Sequence, residues 1–183
     1  MKANQTALAI FVTICVLAMP TTQSEAQDLG IEKSETKVHI GTFDSRAVAI
    51  AYYRSASFNQ RIEQLQAELK QAKKDGNEGL ANKLESKGPE WQELAHKQGF
   101  GTWPVNNILA RINDRLPEIA RQADVDVIVS KWDVAYQRHD VGFVDVTEPM
   151  VKQFDPDQAT WKVIRDIRKQ NPVSNEQLEN HID

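Results

Sequence analysis

The spacing of apolar residues changes several times along this chain, and each change predicts a different element. Residues 7–19 form a run of thirteen that is apolar but for Thr13, preceded by Met1 and Lys2 and followed by Pro20 and small or polar residues up to Ala26. This three-part pattern predicts an export signal cleaved near Ala26; the run is shorter than the ~20 residues a membrane span needs. An uncleaved N-terminal anchor is the alternative. Residues 27–36 are polar and aperiodic, which predicts a disordered lead-in. Alternation then sets in over residues 37–43, with Val38, Ile40 and Thr42 on one face, and predicts a strand.

A long helix is expected next, with Asp44 or Ser45 accepting from its first free amides. Residues 47–56 are apolar nearly all round (Val48, Ile50, Tyr52, Tyr53), so this part belongs inside a packed body. Beyond it Phe58, Ile62, Leu65, Leu69 and Ala72 recur at steps of four, three, four and three, the seam of a coiled coil flanked by charges. The same spacing also suits an ordinary amphipathic core helix. Two breaks compete for the tip of a helical hairpin, the stretch containing Gly76, Asn77 and Gly79, and Gly88-Pro89. Counted from Ser45, they give outgoing helices of about 31 or about 43 residues, roughly 46 or 64 Å.

The return helix carries Leu80, Leu84, Trp91 and Leu94 and stops at 99–104, where Phe100 and Trp103 stand among two glycines and Pro104. Thr102 is placed to cap a new helix. The two aromatics form either an adaptable apolar contact surface or a local plug between arm and body. From Val105 to Ala123 apolar residues again recur at three and four, with Pro117 kinking or restarting the helix. Residues 125–130 alternate and are β-branched, a second strand. Residues 157–169 predict an amphipathic helix through Trp161, Ile164 and Ile167, followed by a polar tail from Asn171.

The fold class that follows is α+β: a small β-rich body, an inserted long coiled-coil-like hairpin arm over about 57–104, and a C-terminal helix. Removing the signal leaves 183 − 26 = 157 residues, the size of one domain, and removes the only cysteine, Cys15. Lys and Arg number 22 against 26 Asp and Glu, a net charge of −4, with an isoelectric point of about 5.6. That balance argues against nucleic acid, whose binders usually carry basic stripes and a pI above about 9.

Three segments carry a resemblance to a known family. Residues 120–130 (ARQADVDVIVS), then Asp133, Val134, Ala135 and Tyr136, then Asp145, Val146 and Thr147 opening a short helix through Met150, Val151 and Phe154, resemble the C-terminal body of the Skp/OmpH family of periplasmic chaperones. Residues 38–45 (VHIGTFDS) resemble its first strand and turn. The likeness spans residues 37–154, leaving 155–183 as an added extension, and is weakest in the hairpin. It implies a strand at 133–136, a homotrimer with three hairpin arms around a cavity, and ATP-independent holding of unfolded outer-membrane or exported proteins in the periplasm. Trp91, Phe100 and Trp103 are the client-binding candidates, and no cofactor is implied. Family members are strongly basic, so the acidic charge here leaves membrane attachment without its usual electrostatic support.

Two other classes were weighed. An enzyme finds little support: His39, His96, His139 and His181 are scattered, and no nucleophile elbow or phosphate-cradling glycine loop is present. His139 and Asp140 are adjacent, and on a strand they would point to opposite faces. A trimeric structural or adaptor protein of the cell envelope, binding one folded partner, fits the same elements and differs from a chaperone in concentrating its apolar surface in one patch.

Overall fold

The structure, a computed structural model, describes residues 37–179. The predicted signal, Cys15, the lead-in 27–36 and His181 lie outside the described residues. Three short strands form one parallel sheet in the order β2-β1-β3: β1 is Ile40–Phe43, β2 Val127–Ser130 and β3 Phe143–Asp145. Ile40 pairs with Val127 on one side and Phe143 on the other, and Phe43 with Ser130. The sheet continues past its strands: Asp126 N–H donates to the His39 carbonyl at 2.8 Å, and Val146 N–H to that of Thr42 at 2.9 Å. Gly41 sits in the centre because a Cβ there would meet Val125 at 3.1 Å and Val146 at 3.3 Å.

Helix α1 (Ser45–Tyr53) follows β1 directly, and the Asp44 carboxylate accepts from Arg46 N–H as its N-cap. Every residue from Ser45 to Tyr52 is buried, as the near-continuous apolar run demands. The chain does not continue as one long outgoing helix. At Arg54 and Ser55 it breaks, and Ser55 caps a new helix α2 (Ala56–Lys74) by accepting from Phe58 N–H. Ser55 Oγ also donates to the Tyr52 carbonyl at 2.6 Å, so one hydroxyl serves both helix ends; serine favours such local bonds over continuing a helix.

Helix α3 (Glu78–Phe100) returns antiparallel, and the tip is Asp75-Gly76-Asn77. Gly76 takes φ +67°, which glycine adopts without the Cβ clash of other residues, and Asn77 caps α3 through Leu80 N–H. Gly88-Pro89 does not interrupt α3. Proline clashes with the N–H and Cβ of a helical predecessor, and Gly88, having no Cβ, removes part of that clash. Leu65, Leu69, Ala72, Ala81 and Leu84 pack between the two helices, and Lys73 pairs with Glu85 across them.

The segment expected as one helix from Val105 is two, α4 (Asn106–Leu109) and α5 (Leu116–Gln122), joined by tight turns in which Ile112 N–H donates to Leu109 and Arg115 N–H to Ile112. Pro117 restarts the second. Thr102 caps nothing, since α4 begins four residues later without a side-chain cap. Helix α6 (Thr147–Lys152) follows β3, and α7 (Gln158–Ile167) is capped by Asp157, which accepts from Thr160 N–H at 2.7 Å. The polar tail contains a further helix, α8 (Asn175–Glu179).

Two expectations fail. Residues 133–136 are not a strand; the chain from Lys131 to Gly142 is turn and loop, and Tyr136 is 82 % exposed. The third strand is Phe143–Asp145 instead, because its β1 neighbour can pair only where the chain returns alongside it. Nor is the body β-rich: its strands run four, four and three residues. Its core, Val48, Ile108, Ile112, Ile119, Val146, Met150, Val151, Ile164 and others, comes mainly from helices packed around α1.

Candidate functional site

All three strands point their carboxyl ends the same way, which gathers residues distant in sequence. Asp44 follows β1, Lys131 and Trp132 follow β2, and Thr147 follows β3. The fully buried Asp44 carboxylate accepts from Arg46 Nε at 3.2 Å and Nη2 at 3.1 Å, from Trp132 Nε1 at 3.2 Å, and pairs with Lys131 Nζ at 2.8 Å. Its backbone N–H donates to Thr147 Oγ1 at 2.9 Å. Arg46 is equally buried, reaches on to the Gln170 carbonyl at 3.0 Å, and lies 4.7 Å from the Trp132 ring centre, with Lys131 at 4.3 Å. Burial pushes the Asp44 carboxyl up, but its bonds and charge attraction to Arg46 and Lys131 outweigh that and hold it below the ordinary carboxylate range. Both of its oxygens are occupied, so the cluster reads as a lock joining the three strand ends.

At the rim of this lock, burial likewise works against Asp145, and the bond from Thr147 together with the charge of Arg168 brings its carboxyl below the usual value. On the β2 side of the sheet a groove of about 290 Å³ runs along the ends of β1 and β2, walled by Phe43, Ile128, Leu109 and Trp103. Trp103, a sequence-predicted contact residue, is partly exposed and carries Lys97 Nζ 5.1 Å from its ring centre. Phe100, at 45 % exposure, lies outside this groove and packs on His96 instead.

A second recess lies at the root of the hairpin. Tyr53, Phe58, Ile62, Trp91 and Ala95 line a cleft of about 330 Å³ completed by Gly88 and the polar Gln92. Nothing stands within 4 Å of where a Gly88 Cβ would be, so this side of the cleft is open. Phe58 meets Tyr53 edge-on at 4.8 Å and Trp91 at 5.9 Å. Arg61 holds the rim, its guanidinium 4.8 Å from the Trp91 ring and bonded to Tyr52 Oη at 2.7 Å. Burial raises the Tyr53 hydroxyl pKa, and that hydroxyl donates to Gln98 Oε1 at 2.7 Å.

The three client-binding candidates are thus divided. Trp91 joins the seam residues Phe58 and Ile62 in the aromatic cleft, Trp103 belongs to the groove at the strand ends, and Phe100 stands apart from both. Leu65, Leu69 and Ala72 of the seam are spent on packing α2 against α3. Sequence reasoning missed Tyr53, Arg61 and Gly88 as cleft residues; helical spacing puts Gly88 and Trp91 on one face, and that was the available signal. The Asp44 lock had none, since Lys131 and Trp132 reach it only through strand pairing.

Among the described residues no group of His, Cys, Asp and Glu could hold a metal, and no helix is long and apolar enough to cross a membrane. Comparison with protein-family models, characterised proteins and solved structures found no match to this chain.

Proposed function

We propose that this protein is an ATP-independent holdase of the periplasm, exported by its N-terminal segment, that binds unfolded outer-membrane or exported proteins. The observation that carries this reading is the aromatic cleft of Tyr53, Phe58, Ile62 and Trp91 at the root of two largely exposed helices. An open, shallow apolar recess suits many weakly held apolar segments rather than one tightly fitted ligand. The resemblance of residues 38–45 and 120–154 to the Skp/OmpH chaperones favours the same activity, with the α2-α3 hairpin as the arm.

A homotrimer is part of the proposal. Strands β2 and β3 each have one neighbour among the described residues, and Val127 and Val144 are exposed there. Open edges of this kind are aggregation hazards that association of copies would cover. The adaptor reading is favoured by one observation, the groove containing Trp103, which concentrates apolar surface in a single place. A decisive assay dilutes a urea-unfolded outer-membrane protein into buffer with this protein and no nucleotide. Suppressed light scattering supports the holdase; binding only to a natively folded partner supports the adaptor.

A further inference from the structure

The chain beyond α7 is seated more deliberately than a polar tail requires. Gln170 is tied to buried Arg46 through its carbonyl, and Val173 N–H donates to the Phe100 carbonyl at 2.9 Å. Ser174 Oγ accepts from Gln177 N–H at 3.3 Å while Gln177 Oε1 accepts from Ser174 N–H at 3.4 Å, the reciprocal capping box that starts a helix. The short helix α8 then delivers Leu178, 7 % exposed, onto Gly101. A Cβ at Gly101 would stand 2.6 Å from Leu178 Cδ1, 2.8 Å from the Lys97 carbonyl oxygen of α3 and 3.5 Å from the Val173 carbonyl oxygen. Gly101 has extended backbone angles (φ −100°, ψ −157°), so closeness of approach, and not conformation, calls for glycine here.

The end of α3 therefore offers an extended backbone with a free-standing acceptor, a glycine floor and a recess that takes a leucine. Residues 173–178 satisfy all three with one backbone hydrogen bond and one apolar anchor, while Glu176, Gln177 and Glu179 stay in solvent. We propose that the Phe100–Gly101 recess is a binding site for a peptide segment that offers a backbone donor and, on a helical turn after it, a leucine-sized side chain, and that residues 171–179 are its displaceable resident. This deepens the holdase reading and rests on it, because an unfolded client supplies such segments. Seating an apolar side chain of a short helix in a recess is a general way to recognise peptides. A tethered resident competes at an effective concentration of about millimolar, so the site opens only to a client offering many such segments at once.

The test uses the full chain and a fluorescein-labelled synthetic peptide of residues 171–183, followed by anisotropy. The Leu178→Asp protein, its own anchor spoiled, binds the peptide at least tenfold more tightly than the unaltered protein, and a peptide carrying the same change does not bind. Val173→Pro removes the backbone donor but keeps the anchor, gives a smaller gain, and carries the test should Leu178→Asp fail to fold. Equal binding by all forms overturns the proposal. The Leu178→Asp protein should also hold a urea-unfolded outer-membrane protein better than the unaltered one. If the peptide binds the variant but clients are held no better, displacement by clients is overturned and the holdase reading survives. If no form holds a client, the holdase reading fails, and the peptide titration still decides the recess.

Discussion

The strand ends and the hairpin solve opposite problems. At the strand ends Asp44, Arg46, Lys131, Trp132 and Thr147 gather from the ends of three strands around the buried Asp44 carboxylate, whose two oxygens are both bonded, while Arg46 Nη1 stays without a partner. In the hairpin, only Ala72, Ala81 and Leu84 are buried between two helices whose outer faces are polar. One region is over-determined and the other is held by a thin apolar line. A body that must keep its shape while carrying a hairpin that can yield around different segments would be built this way, because regions with few buried contacts open at lower free energy than the core.

Asp44→Asn strikes the stiff region hardest. It leaves the fully buried Arg46 facing no full negative charge, and loss of one partner from such a pair costs about 3–5 kcal/mol. Denaturant unfolding should show the whole body destabilised, with a lower midpoint and an unchanged slope. Leu84→Ala strikes the yielding region. It should cost about 2–3 kcal/mol, read by hydrogen exchange as faster opening of α2 and α3, with exchange in β1 and α1 little altered.

Acid separates the regions in the same sense. Asp44 and Asp145 are held below their ordinary value of 3.8 in the folded protein. A depressed carboxyl stabilises the fold above its unfolded value, and the contribution is lost as pH falls through the folded value. Stability of the body should thus be level from neutral pH to about 5 and fall below about 4; in the Asp44→Asn protein the acid slope should be shallower. The smallest effect is expected from Trp91→Ala, which removes one wall of the cleft: client affinity drops severalfold, without change in unfolding midpoint, because many weak contacts share the load.

Much of this contrast was legible in the residues. The apolar run from Ala47 foretold a buried α1, and the step of three and four from Phe58 to Ala72 foretold the face that α2 turns to α3. Two short strands bracketing the helices pair as neighbours. What escaped the sequence depended on single contacts. Ser55 ends one helix and begins another because its hydroxyl reaches Tyr52, an event no periodicity reports. Gly88-Pro89 passes within α3 without a break, although each residue disfavours a helix interior. Residues 133–136 have strand-like composition but no neighbour to pair with among the described residues. Of the site, Trp91 and the first two seam residues could be named in advance, while their partners Tyr53 and Gly88, and the seat of Leu178 on Gly101, emerge only when α1, α3 and the tail are folded together.

The central claim is that the hairpin yields to clients while the strand ends hold still. Hydrogen exchange on the full chain, with and without a urea-unfolded outer-membrane protein diluted into it, tests that claim most directly. The expected result is new protection confined to residues 56–100, around Phe58, Ile62 and Trp91, with β1 and α1 already slow and unchanged. Protection gained only at the strand ends, or none anywhere while the client aggregates, would contradict it.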